Sequence, residues 1–302
     1  MANNSETDPY LFQIMDSLES WIIELRLHVI SKEPSLLEIF EIYAGEARFG
    51  RWFINNELAC LPGGSNILEI GAGSLILSCQ LAQEGYAITA LEPIGDGFSH
   101  FSRLRSLVLE KASQTGYVPK LVFLPAELLV DQCQYDFAFS INVMEHVADI
   151  ALVLYRVAEA LRPGGIYRFT CPNYLFPYEP HFDIPILFSK RFTEHFFSHR
   201  IHNNRNIPDP IGTWRSLNWI TVPGIQAIVR NFDDVKVSFR RDLLATMIVR
   251  AVHDPIFSVR RSAWLRKMLG LLVRLGLHRM AMMIPARLQP VIDCTIVRSQ
   301  VI

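Results

Sequence analysis

Three short stretches of this 302-residue chain combine residue types and spacings that could do chemistry. In the first, the apolar run Ile67-Leu68-Glu69-Ile70 leads into Gly71-Ala72-Gly73-Ser74, which reads as a strand, a tight turn and a helix start. Glycines there remove Cβ atoms, so a ligand can lie against the backbone and the helix N-terminus. The third glycine of a dinucleotide fingerprint is absent, and an acid, Glu69, stands two residues before the first glycine. In the second, Glu92 closes the run Ala87-Ile-Thr-Ala-Leu91, 21 residues after Gly71. A carboxylate at such a strand end can accept both hydroxyls of a ribose. The third is the loop Cys171-Pro-Asn-Tyr174-Leu-Phe-Pro-Tyr178-Glu179-Pro-His181-Phe182, rich in aromatics and proline, with one imidazole. His181 is the preferred general base, with Tyr178 and Glu179 as partners and Tyr174 beside them for the substrate; His146 is the other candidate. His195, His199 and His202 lie close in sequence but lack the carboxylate company and spacing of a metal motif, so no metal is expected.

These residues need a scaffold, and the hydrophobic pattern supplies one. Asp8 can cap a first helix with Pro9 at its first position. Leu11, Ile14, Leu18, Trp21 and Leu25 then recur every three or four residues and share one face. Further helical segments are expected around residues 34–43 and 51–61, and the turn Pro62-Gly63-Gly64 ends this helical preface, 1–64. From residue 65 the texture changes to short apolar runs alternating with helical patterns, the mark of βα units and a parallel sheet. Strands are expected near 66–70, 87–91, 120–124, 136–140 and 166–171, with helices over 75–84, 97–113 and 149–161. A helix after Thr221-Val222-Pro223, a strand at 234–239, a helical basic insertion over about 241–288 and a last strand near 291–297 complete the chain.

In order along the chain stand Glu69-Ile-Gly71-Ala-Gly73, Leu91-Glu92-Pro93, Pro125-Ala126-Glu127, Ser140-Ile-Asn142-Val-Met-Glu145-His146-Val147 and Leu161-Arg-Pro-Gly-Gly165. This series resembles the ordered motifs of class I S-adenosylmethionine-dependent methyltransferases, in their small-molecule branch. Leu217-Asn218-Trp219-Ile220-Thr221-Val222-Pro223 resembles the segment that opens a late helix there. The resemblance implies a Rossmann-like α/β fold: a seven-stranded, mostly parallel sheet with helices on both faces. It implies that Gly71, Ala72 and Gly73 face the methionine part of S-adenosyl-L-methionine, that Glu69 orients its amino group, and that Glu92 with Pro93 holds the ribose. Ala126 and Glu127 would lie beside the adenine, and Asn142 would close the cofactor site. Two positions depart from the pattern: Leu75 occupies the third-glycine position, and Pro125 stands where many members carry an adenine-binding aspartate. After the fourth strand, Asn142-Val143-Met144-Glu145 replaces the D/N-P-P-Y/F tetrapeptide of amino methyltransferases, which favours an oxygen acceptor on a small molecule, sugar or lipid-linked compound. The rivals are a nicotinamide-dependent oxidoreductase, disfavoured by the glycine pattern, and a non-catalytic cofactor-binding subunit of a partner enzyme.

Composition bounds the rest. Half the residues are hydrophobic and the net charge is −1, which excludes a disordered chain and disfavours nucleic acid as partner. Five scattered cysteines suggest buried thiols rather than a disulfide framework. The opening residues lack a signal-peptide pattern, so a cytoplasmic location is expected. Charge is unevenly spread: residues 255–302 hold eight Arg or Lys against one acid, Asp293. Arg260, Lys267, Arg274 and His278 form an expected basic stripe beside Trp264, Leu271, Leu275 and Met282, so that 255–290 could meet the anionic lipid of the inner membrane face.

Overall fold

The structure is a computed structural model that describes residues 9–93, 99–204, 207, 209–253 and 263–300. Helices α1 (Pro9–Lys32), α2 (Leu37–Phe53) and α3 (Asn55–Leu58) come first. Then follow β1 (Asn66–Ile70), α4 (Ile76–Gln83), β2 (Ala87–Leu91), α5 (Ser99–Thr115), β3 (Lys120–Val122), β4 (Tyr135–Ile141), α6 (Ile150–Ala160) and β5 (Leu161–Pro172). The hairpin β6 (Tyr178–Glu179) and β7 (Ile184–Pro185) leads to α7 (Lys190–His202), α8 (Pro210–Ser216) and α9 (Val222–Val229). The chain ends with β8 (Val235–Phe239), α10 (Leu243–His253), α11 (Ala263–Arg274) and β9 (Val291–Arg298).

Seven strands form one sheet in the order β3-β2-β1-β4-β5-β9-β8. β1 to β5 are parallel, and β9 runs antiparallel between β5 and β8, giving the mostly parallel Rossmann-like sheet expected. The chain winds outward from β1 through β2 to β3, then returns to β4 on the other side of β1. Ligands of such sheets sit at the carboxyl ends of the strands where the order reverses, here β1 and β4.

Strand alternation sends successive side chains to opposite faces. Leu68 and Ile70 of β1 join a core with Tyr167, Phe169, α6 and α9. Ile67, Phe137 and Phe139 join a second core filled by α1, α2, α4 and α5. The N-terminal helices therefore cover one face of the sheet, and Trp21 donates its indole N–H to Ile76 O at 3.0 Å. Asp8, Leu11 and Ile14 cannot be compared: Asp8 lies outside the described residues, and so do the side chains of the other two. Helix starts follow local chemistry: Asp149 accepts the Leu152 N–H on α6, and Thr221 accepts the Gly224 N–H on α9 with proline in the first turn.

Two expectations about helices are corrected. The segments expected at 34–43 and 51–61 are instead one helix, α2, running through Gly45 and Gly50, with a short α3 after it. Packing decides this: a Cβ on Gly50 would lie 2.8 Å from methyls of Leu77 and Ile141, so the glycine gives close approach rather than a break. The basic stripe does not continue to His278. α11 stops at Arg274, Gly276 turns left-handed (φ 70°), and residues 277–283 form a 3₁₀ segment on a new axis. Arg260 lies outside the described residues.

Candidate active site

β1 delivers the chain into Gly71 and Gly73, both left-handed (φ 72° and 50°), and the Gly71 N–H bonds Leu91 O at 2.8 Å, joining the two strand ends. A Cβ on Gly71 would lie 2.2 Å from Val143 Cγ2 on the loop after β4, so both the φ angle and the space require glycine. Leu75 is left-handed too (φ 65°) at the start of α4 and fully packed. The turn keeps the third-glycine backbone shape with a leucine, whose buried side chain offsets the strain.

Two carboxylates flank this turn. Glu92 Oε2 accepts the Gly73 N–H at 3.0 Å, while Arg105 on α5 donates to Gly73 O at 3.2 Å and places its guanidinium 3.8 Å from Glu92. Burial raises the Glu92 pKa above the usual carboxylate value, and the Gly73 N–H and Arg105 hold the rise back. Glu69, sent by strand alternation toward α4, accepts the Ser78 hydroxyl. Burial pushes it up to about 8 against that hydrogen bond, with the charge of Glu92 adding to the rise. Glycines that bare the backbone, a part-exposed Glu92 and a buried Glu69 form an acceptor set suited to vicinal hydroxyls and an amino group.

Around this edge, Pro93 is exposed, Ala126 is buried in a single 3₁₀ turn, and Asn142 leaves β4 left-handed (φ 55°) with its N–H on Thr170 O. Glu127 bonds to the protein's own backbone. Its Oε1 accepts the N–H groups of Ala148 and Asp149 at 2.7 and 3.3 Å, fastening the approach to α6.

The second half of the site is built on Glu179. It is fully buried: Oε1 receives His181 Nδ1 at 2.6 Å and the Tyr174 hydroxyl at 3.2 Å, and Oε2 receives the Phe182 N–H at 2.7 Å. His181 therefore carries its proton on Nδ1 and offers a lone pair at Nε2. Burial by itself lowers the His181 pKa, but the Glu179 hydrogen bond and charge, with Glu145, outweigh it and the net shift is upward. Tyr178 lies elsewhere. Adjacent residues of a strand face opposite ways, so the hairpin that buries Glu179 exposes Tyr178, whose hydroxyl reaches Asp183 at 2.7 Å.

His146 sits against His181, ring centroids 5.3 Å apart and edge-on. The Ser216 hydroxyl spends its proton on Thr213 O, so it accepts from His146 Nδ1 at 2.8 Å. Burial and the neighbouring His181 push His146 down to about 4, which keeps it neutral near pH 7.

Glu145 belongs to the site although its place in the motif Ser140–Val147 does not mark it as a site residue. Glu145 is fully buried, both carboxylate oxygens lack a hydrogen-bond partner among the described residues, and burial pushes it up to about 7. Glu145, His146 and His181 each place one ligand atom within 4.8 Å of the others, a separation that suits a shared proton or a shared cation. The expectation of no metal rested on His195, His199 and His202; this trio is a different set, in which His181 arrives from another loop than Glu145-His146. Asn218 was missed as a support: its side chain donates to Met144 O and Val147 O, and its N–H to Glu145 O, fixing the loop that carries Glu145. Trp219 stacks on Tyr174 at 5.6 Å.

A family model described as "Methyltransferase domain" matches residues 46–223. An "Uncharacterized protein" of Mycobacterium tuberculosis is 42% identical over 276 residues, which cover 91% of this chain and 93% of that protein. A ubiquinone biosynthesis O-methyltransferase of Paramagnetospirillum magneticum is 33% identical over 105 residues, 34% of this chain and 39% of that protein. Among solved structures, phosphoethanolamine N-methyltransferase 2 of Haemonchus contortus in complex with S-adenosyl-L-methionine is similar at 16% identity, with a TM-score of 0.46. That match covers 83% of this chain and 56% of that one. With the motifs, the reversal of strand order and the flanked glycine turn all in place, the chain belongs to the class I methyltransferases, the family that takes its methyl group from S-adenosylmethionine.

Proposed function

We propose that the protein transfers the methyl group of S-adenosylmethionine to a hydroxyl oxygen of a small, sugar or lipid-linked acceptor, with His181 as the general base. The observation that carries this reading is the pair of Glu179 and His181, which presents a basic Nε2 beside buried Glu145 and Tyr174. The name of the O-methyltransferases that match over about a third of the chain supports oxygen as the atom methylated. When bound, the cofactor supplies an electrophilic methyl on a sulfonium. Glu69, Glu92 and the Gly71–Gly73 turn would hold the cofactor, and His181 Nε2 would take the proton that the acceptor hydroxyl gives up as its oxygen gains the methyl and the thioether leaves. Glu179 holds the imidazole in the competent tautomer and stabilises its charge once protonated.

Mass spectrometry of a cell extract incubated with the protein and isotopically labelled S-adenosylmethionine tests the reading. A labelled methyl ether or ester is expected. A labelled amine would move the reaction to nitrogen, and no transfer at all would leave a cofactor-binding subunit. Restoration of a chelator-suppressed rate by divalent cation would assign the trio of Glu145, His146 and His181 to a metal.

Two binding results follow from the glycine edge. Glu92→Ala removes the acceptor for the ribose hydroxyls and is expected to cost about 1.5–3 kcal/mol, roughly ten- to a hundredfold in cofactor affinity by calorimetry. Equal affinity in a folded variant would remove Glu92 from the site. Glu69, titrating at about 8 in the free protein, must ionise to receive the cofactor's ammonium. Affinity should therefore fall as pH drops below 8, by up to about tenfold per unit. Glu69→Gln should bind more weakly and lose that slope; an unchanged slope would show that Glu69 stays neutral in the complex.

A further inference from the structure

We infer that the exposed face of α11 and of the segment after it docks on an anionic lipid bilayer. Trp264, Met268, Leu271 and Leu275 recur every three or four residues and so share one side, and all four are exposed, Trp264 at 71%. Beyond the turn at Gly276, Met280, Met283, Ile284 and Leu288 are exposed as well. Exposed hydrophobics occur elsewhere on the chain too, but between 264 and 288 they follow one another along a single segment, a concentration that marks a contact with something outside the chain.

Charge identifies the occupant. Residues 263–288 contain Arg266, Lys267, Arg274, Arg279 and Arg287 and no Asp or Glu, and all five cations are exposed. A second copy of the chain meeting this face about a twofold axis would set the same cations against one another. An anionic bilayer satisfies both features, its headgroups taking the cations and its acyl boundary taking Trp264 and Leu271. The 12 residues of α11 are too short to span the hydrocarbon core, and no described helix is long and apolar enough to cross a membrane, so the helix lies in the surface plane. The docking segment is also fastened to the loop of the candidate active site. The Asn173 side-chain amide, next to Tyr174, donates to Arg287 O at 3.0 Å and Gln289 O at 2.8 Å.

The test sediments the full-length protein with phosphatidylcholine vesicles prepared with and without phosphatidylglycerol. Recovery in the pellet is expected only with phosphatidylglycerol, and salt should reverse it. Lys267→Glu combined with Arg274→Glu and Arg279→Glu changes exposed positions and should lower partitioning by at least roughly a hundredfold with an unchanged melting curve. In the otherwise native chain, Trp264→Phe should abolish the blue shift of tryptophan emission that anionic vesicles produce. Equal recovery with both vesicle types, or unchanged partitioning of the triple variant, overturns the proposal. So does a vesicle-free dimer that Leu271→Glu dissociates, which would show that a second copy covers the face. None of these readouts involves methyl transfer, so failure here is distinct from failure of the catalytic reading.

Discussion

His181→Ala is expected to lower turnover by about 10²–10⁴-fold while leaving cofactor affinity near the native value. The two histidines are close neighbours, yet their surroundings separate their roles. His181 is raised, since Glu179 and Glu145 outweigh the burial that would lower it, whereas His146 is pushed down to about 4 and held by Ser216. A base acts deprotonated, so the rate should rise with pH through a midpoint above the ordinary histidine value of about 6.5. His146→Ala should cost less than about tenfold, because an imidazole so weakly basic takes little of the proton at neutral pH. Glu145→Gln removes a charge that supports protonated His181 and should move the acid limb of the profile to lower pH. Steady-state rates across pH, with a melting curve for each variant, decide the matter. Near-native turnover in His181→Ala would mean that catalysis rests on alignment and an already acidic acceptor.

The second large effect is on stability. Gly71→Ala should destabilise the fold by about 2–5 kcal/mol, combining the cost of an L-residue in the left-handed region with overpacking against Val143. Gly71 has φ 72°, and the added Cβ would meet Val143 Cγ2 at 2.2 Å. Val143→Ala in the same chain removes that methyl and should recover part of the loss, leaving the φ cost of about 1–2 kcal/mol. Urea unfolding of the two single variants and the double variant measures the coupling. Independent, additive effects would show that the loop after β4 moves aside and that close approach does not hold the turn.

The Gly71–Gly73 turn, Glu69 and the spacing to Glu92 were legible in the sequence because they depend on one βα unit and its neighbouring strand, where local chemistry and strand period fix positions. The helices expected over 149–161 and after Thr221 were equally local, although their caps emerge only in the structure. Tertiary structure decided what depends on distant segments. Glu145, His146 and His181 meet because β4 and β5 are neighbours in the sheet, and Ser216 and Asn218 reach them from about 70 residues away. Tyr178 and Glu179 are adjacent in sequence, but the register of β6 on β7 buried one and exposed the other. α2 runs unbroken because Gly50 packs against Leu77 and Ile141, a contact that propensity does not reveal. The sequence by itself offered a glycine turn with Glu69 and Glu92 as a cofactor edge and His146 and His181 as candidate bases, and left Glu145 unmarked. Which of them are desolvated enough to shift their pKa, and which face one another, was decided by the packing of loops onto the sheet edge, because burial and proximity arise only once distant segments meet.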